Sequence, residues 1–138
     1  MAKTPVRLEA KDIETREVQE ISYKFSQAID KENQPAGIPR GGLIKIKCKA
    51  LNGEKGLGDL VNWMCNKTMA KDGKIIFMQS SDADKELKRI EFEKAYCVEF
   101  EEHWADQKES TDLAHWEEIT ISCKQLKVAG AEYRNQWA

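Results

Sequence analysis

No uninterrupted apolar run in this sequence exceeds four residues, so nothing approaches the ~20 that a membrane-spanning helix requires. The opening stretch MAKTPVRLEAKDIETREV lacks the apolar segment of a secretory signal, which predicts synthesis and folding in the cytosol. Neither sign of charge is in excess. The 22 Lys and Arg nearly cancel the 24 Asp and Glu, leaving −2 over 138 residues, and no five like charges stand together. That excludes the basic footprint of a nucleic-acid binder. Histidine is scarce, with only His103 and His115, and no GxSxG elbow accompanies them. The four cysteines, Cys48, Cys65, Cys97 and Cys123, are 17, 32 and 26 residues apart. That spacing is neither a CxxC pair nor a zinc-knuckle pattern, and it predicts reduced, mostly buried thiols.

What is present is alternation. Val6 and Leu8 alternate with Arg7 and Glu9, and after the polar break Lys11-Asp12 a second run puts Ile21, Tyr23 and Phe25 on one face. The clearest strand is 43–50, where Ile44, Ile46, Cys48 and Ala50 oppose Lys45, Lys47 and Lys49. Residues 73–78 set Ile75 and Phe77 against Lys74, Ile76 and Met78. In 92–100 the pattern predicts a face of Phe92, Tyr96, Val98 and Phe100 interrupted by Lys94, and in 117–127 a face of Ile119, Ile121 and Cys123. Such period-2 runs are the mark of half-buried strands. One segment has the helical period: Leu57, Leu60, Val61 and Met64 form a stripe that predicts a short helix over about 54–65. Polar stretches at 82–86 and 105–114 read as connections between strands. The expected fold is therefore mainly β, a single domain over 1–138, built as a small antiparallel β-barrel or two-sheet sandwich with one short flanking α-helix.

One segment breaks the alternation. Residues 30–42, DKENQPAGIPRGG, hold two of the three prolines and three of the eight glycines. Hairpin loops usually have ~2–5 residues, so this connection is long. Pro35 and Pro39 restrict it, and Gly41-Gly42 permit close backbone approach as the next strand begins. It reads as a stiffened arm suited to making contacts. At the other end, a tail over 129–138 carries Trp137 without a core pattern around it, an aromatic that either folds back or docks on a neighbour.

Candidate chemistry is thin. His103 and His115 flank one connection, but adjacent Trp104 and Trp116 favour strand-end packing over a metal site. Glu99, Glu101, Glu102, Glu117 and Glu118 are numerous enough for an acid–base pair of the glycosidase kind, yet Glu99 and Glu101 alternate with Val98 and Phe100 as a solvated face does. Gly53-Glu54-Lys55-Gly56-Leu57-Gly58 fits neither GxxxxGK[ST] nor GxGxxG. The lysine stripe of 45–49 lacks the interleaved aromatics of a single-strand binder. No catalytic, cofactor-binding or metal-binding residue is predicted. The residues alone describe a β domain with charge-rich faces, an arm and an anchored tail.

Several stretches taken in order resemble a known family. They are ISYKFSQAIDKENQPAGIPRGG (21–42), IKIKCKAL with the helix through Asn62-Trp63-Met64, KDGKIIF (71–77), FEKAYCVEFEEHW (92–104), EEITISCKQLKV (117–128) and AEYRNQW (131–137). Together they are similar to the Bacteroidetes branch of the type VI secretion tube protein, Hcp or TssD. The resemblance implies a non-catalytic β-barrel that forms hexameric rings. These stack into a hollow tube inside a contractile sheath, with spike and baseplate proteins at its end and effector proteins in its lumen. It implies a protein that is cytoplasmic before firing and then leaves the cell without a signal peptide, with no cofactor, no nucleic acid and no membrane insertion. The arm matches the family's extended loop, which assigns subunit contacts to Gln34, Pro35, Ile38, Pro39, Arg40 and Gly41. Tyr133 and Trp137 of the tail are the ring-stacking candidates. The chain departs from the family pattern in lacking a C-terminal toxin domain and in longer segments at 82–86 and 105–116. Three other readings stay open: a monomeric β-barrel binding module, a tube protein of another phage-tail-like contractile particle, and a hydrolase using Glu99, Glu101 and Glu118.

Overall fold

The computed structural model describes residues 6–49, 55–79, 85–104, 115–135 and 137. Of the expected connection over 82–86, residues 82–84 lie outside these residues and Glu86 already begins a strand; the connection over 105–114 lies outside as well, as do Ala50 and the first residue of the predicted helix. Seven strands and one helix follow in the order β1 (Val6–Ala10), β2 (Arg16–Tyr23), β3 (Leu43–Lys49), α1 (Asp59–Cys65), β4 (Lys71–Met78), β5 (Glu86–Trp104), β6 (His115–Val128) and β7 (Ala131–Arg134). All neighbouring pairs are antiparallel in the order β3-β2-β1-β4-β5-β6, and β3 pairs again with β6, which closes six strands into a barrel. The expected mainly-β barrel with one short helix is the observed fold.

Strict alternation made β3 legible, and Ile44, Ile46 and Cys48 are indeed fully buried. They meet Ile119 and Ile121 of β6, and Leu8, Ile75, Ile90, Phe92 and Leu126 complete the barrel interior. Fully burying one such side chain stabilises by roughly 1.5–3 kcal/mol. Helix α1 packs against β5 and adds Leu60 and Trp63 to the core. It begins at Asp59, because residues 55–58 form turns around Gly56 (φ 82°) and Gly58, and so it is shorter than predicted. Its buried seam is Leu60 and Trp63, with Leu57 and Val61 exposed, so the predicted stripe is rotated. The Trp63 indole decides the rotation. It is the largest side chain on the helix, and its Nε1–H donates to the Ala95 carbonyl at 3.2 Å inside the core.

Two strands carry irregularities that the alternation conceals. In β5, Lys94 adopts a left-handed backbone (φ 52°), its N–H donates to Asp72 Oδ1 at 2.9 Å, and the pairing with β4 slips. A second slip between Cys97 and Glu99 faces Val98 outward. The predicted face Phe92/Tyr96/Val98/Phe100 therefore does not exist: the core receives Ile90, Phe92, Ala95 and Cys97. Each bulge adds one residue and moves every later side chain to the opposite face. In β2 the strand begins at Arg16, five residues before the predicted run. Arg16 and Val18 point inward, a slip between Val18 and Glu20 follows, and Phe25 lies beyond the strand and is exposed.

Arg16 is completely buried, and Nη1 donates to Glu117 Oε1 at 2.8 Å while Nη2 donates to the Gly56 carbonyl at 3.2 Å. The pair ties the start of β2, the start of β6 and the turn entering α1. Nearby, Asp59 Oδ2 accepts the Glu14 N–H at 2.9 Å, holding the same corner. Removing one partner of a buried pair costs about 3–5 kcal/mol, whereas apolar replacement of both is often neutral. Arg16→Met should destabilise by that amount in urea denaturation, and Arg16→Met/Glu117→Leu should recover most of it; equal losses in both variants would contradict this role.

All four cysteines are free, Cys65 exposed and the others buried. Burial pushes the Cys48 and Cys123 thiols up to about 12 and Cys97 to about 11, from an ordinary value of 9.0. The folded chain thus keeps protons that an unfolded chain releases above 9.0, so stability is intact below that value and falls as pH rises towards 12. At pH 8 iodoacetamide should modify Cys65 alone, with the other three reacting only after unfolding, read by intact mass.

Candidate functional site: a projecting arm and its root

Residues 24–42 join β2 to β3 and stand out from the barrel, every residue from 24 to 40 being exposed. The sequence predicted a loop beginning at 30. The structure shows a two-legged finger that begins earlier. Ser26 and Arg40 exchange both backbone hydrogen bonds (2.8 and 2.6 Å), and the Ala36 N–H donates to the Ala28 carbonyl at 2.7 Å. Ile29 and Pro35 bridge the legs nearer the tip. Pro35 offers no N–H, so the tip is organised by Asp30, whose Oδ1 accepts the N–H groups of Glu32 (2.8 Å) and Gln34 (3.0 Å). Asn33 takes the left-handed conformation (φ 65°) that such a turn requires and that Asn tolerates. Gln27 Nε2 donates across the finger to the Gly37 carbonyl at 2.8 Å. Two of its apolar side chains stay in water: Ile29 is 60% exposed and Ile38 57%.

The six predicted contact residues lie along one leg. Gln34 sits at the tip, Pro35 and Ile38 follow, Arg40 closes the cross-leg pair, and Pro39 and Gly41 meet the tail. Phe25, Ile29 and Gln27 belong to the same finger and were not singled out, because they sit in the run read as strand or just beyond it. At the root, the Gly41 N–H donates to Tyr133 Oη at 2.9 Å, and Tyr133 Oη donates to Asn135 Oδ1 at 2.7 Å, with the Pro39 carbonyl at 3.4 Å. Asn135 Nδ2 donates to the carbonyls of Gly41 (3.2 Å) and Cys123 (2.8 Å). The Tyr133 ring packs on Phe25, 5.2 Å between centroids. Trp137 folds back onto Tyr96 at 5.9 Å and stays 37% exposed.

The other candidate residues do not converge. Glu101 lies directly across from Glu118 and Glu99 from Thr120, beside Lys45 and Lys47 of β3. The depression that holds Glu99, Glu101 and Glu118 together has about 130 Å³, against the ~300–1,000 Å³ of ordinary ligand pockets, while the larger hollows of about 600 and 330 Å³ beside it take only Glu99 or only Glu118. His103 stacks on Trp116, Lys47 Nζ lies 4.2 Å above the same Trp116 ring, and His115 stacks on Trp104 while meeting Glu102 at 2.9 Å. Among the described residues no group of three His, Cys, Asp or Glu is placed to hold a metal ion. No described helix is long and apolar enough to cross a membrane.

The described residues thus form a small closed barrel whose distinctive surface is a self-braced finger. The family model described as hemolysin coregulated protein Hcp (TssD) matches residues 3–138, and the chain belongs to that family of type VI secretion structural proteins. It is similar to Hcp1 from Flavobacterium johnsoniae, with 26% identity over 95% of this chain and 99% of that one and a TM-score of 0.81. A crystal structure of another Hcp protein matches with 13% identity over 100% of this chain and 99% of that one and a TM-score of 0.74. A chain of the anti-feeding prophage baseplate shares the fold at 9% identity, 94% of each chain and a TM-score of 0.56. Comparison with curated proteins finds no significant match. The family is secreted by the type VI system and its role is structural and tube-forming.

Gly42 has φ 94°, and a Cβ there would overlap Asn135 Nδ2 and the Cys123 carbonyl. Gly42→Ala should cost at least the ~1–2 kcal/mol of a left-handed L-residue. Urea denaturation reads it, and an unchanged midpoint would contradict the tight root.

Proposed function

We propose that this chain is the ring subunit of a type VI inner tube, forming hexamers that stack into a hollow tube driven out by sheath contraction. Its partners are then further copies of itself, the sheath, spike and baseplate proteins, and effector proteins held in the lumen. It works without catalysis, from the cytoplasm to the outside of the cell. One observation carries the reading: a hydrogen-bonded finger that leaves Ile29 and Ile38 in water. A cyclic ring joins one patch to a different patch on the next copy, and a projecting finger supplies the first of them. In this reading Gln34, Pro35, Ile38, Pro39, Arg40 and Gly41 carry the subunit contacts. Of the two tail residues assigned to stacking, Trp137 packs one side on Tyr96 and leaves 37% of its surface free for a neighbouring ring, whereas Tyr133 spends its hydroxyl on the arm root.

Ile29→Ser/Ile38→Ser alters exposed positions only, so the fold should change by less than about 0.5 kcal/mol. Native mass spectrometry should show hexamers for the unaltered chain and monomers for the variant, and electron micrographs should show rings with a central hole. Trp137→Ala should leave rings but shorten tubes. A stable monomer of the unaltered chain at micromolar concentration would favour the binding-module reading instead. Hexamers that persist in the double variant would remove the finger from the interface.

A further inference from the structure

The finger's own hydrogen bonds fix its shape but not its direction, because its only covalent links to the barrel are the chain at Lys24 and at Gly42. We infer that the C-terminal tail aims it: Tyr133 and Asn135 are positioning residues for the arm, acting on its root and not on a neighbouring subunit. The inference rests on the assembly reading above.

The topology brings the parts together. β3 pairs with β6 from Leu43–Ser122 to Lys49–Trp116, and β7 takes the same edge of β6 from Val128 to Gln125. Between the two partners lie Cys123 and Lys124. The Cys123 N–H donates to the Gly42 carbonyl at 2.8 Å, and the Lys124 carbonyl accepts the Asn135 N–H at 2.8 Å. The edge therefore passes from β3 to the tail at the point where the arm leaves the sheet. Asn135 sits at the handover with its three side-chain hydrogen bonds divided among β6, the arm root and Tyr133. Both backbone polar groups of Gly41 are held by tail side chains, the N–H by Tyr133 and the carbonyl by Asn135. A Cβ at Gly41 would overlap the Phe25 ring, so the two legs are pressed together beneath Tyr133. Rotation of the finger about its root would break these ties together.

The test uses the full chain with Tyr133→Phe, which removes one oxygen and keeps the ring on Phe25, and Asn135→Ala. Hydrogen exchange resolved at single amides and native mass spectrometry over a concentration series are the two readouts. Exchange at the Gly41 amide should accelerate roughly three- to tenfold in Tyr133→Phe, the size expected for one part-buried hydrogen bond. The cross-leg amides of Ser26, Ala36 and Arg40 should stay as they are, and the thermal midpoint should fall by no more than the few degrees that the loss of one hydrogen bond gives. The concentration at which half the protein is hexameric should rise by a similar factor. Unchanged Gly41 exchange would overturn the clamp. Faster exchange with unaltered hexamer formation would overturn its part in assembly. Weaker hexamers with unchanged exchange would make Tyr133 a direct contact, which also overturns it. If the unaltered chain never forms hexamers, the assembly reading fails by itself, and Gly41 exchange still judges the clamp. Should Asn135→Ala fail to fold, Tyr133→Phe carries the test alone.

Discussion

Closure of the barrel depends on a mismatch in length. β6 spans His115–Val128 whereas β3 spans only Leu43–Lys49, so the pairing that completes the cylinder satisfies half of β6 and leaves the other half an open edge. Backbone donors and acceptors left on such an edge either meet water or recruit another strand. Here the chain's own end fills it, as β7. The place where one partner gives way to the other is also where the long β2–β3 connection must leave, so the arm and the C-terminus share a root because of register alone.

The two ends of β3 consequently serve different purposes. At Leu43 the strand gives way to the finger. At Lys49 it faces the corner where Arg16 and Glu117 meet, below the turn that enters α1. That corner is polar and buried, and it depends on charge pairing; the interior between is Ile, Leu and Phe, and depends on burial. A buried ion pair is seldom a strong source of stability, but it is intolerant of misplacement. It fixes how β2, β6 and the helix turn meet, while the apolar interior only requires that its volume be filled.

How much of this could be read in the sequence follows from where local rules hold. Ile44, Ile46 and Cys48 alternate without interruption, so β3 was legible over all its described residues. The fold class followed from several such runs, and the family from their order. Lys94 and Val98 hid the inner face of β5, since a bulge is a single inserted residue with no fixed signature. Nothing in the alternation singled out Arg16, because its partner Glu117 is 101 residues away. Val61 and Leu57 outweighed Trp63 in the helical stripe, although the bulkier indole took the buried seam. Pro35, Pro39 and the paired glycines marked the arm, but not that it is a braced finger, since Asp30 and Gln27 brace it through side chains. The root was illegible: Gly41 and Tyr133 are 92 positions apart, and nothing local ties them.

The cross-leg bonds of the finger have a consequence for the free energy of association. A segment of the length of 24–42 that ordered only on docking would lose on the order of 20 kcal/mol of backbone freedom, at about 1 kcal/mol per residue. A micromolar contact supplies about 8 kcal/mol in all, so a floppy arm of this length would erase the interface it was meant to form. Asp30, Gln27 and the Ser26–Arg40 pair settle that entropy during folding of the single chain, where the barrel offsets it. On the ring reading proposed above, each copy meets its neighbour with the segment already in shape. In a closed ring the saving recurs at every interface, which favours completing the ring over leaving open fragments.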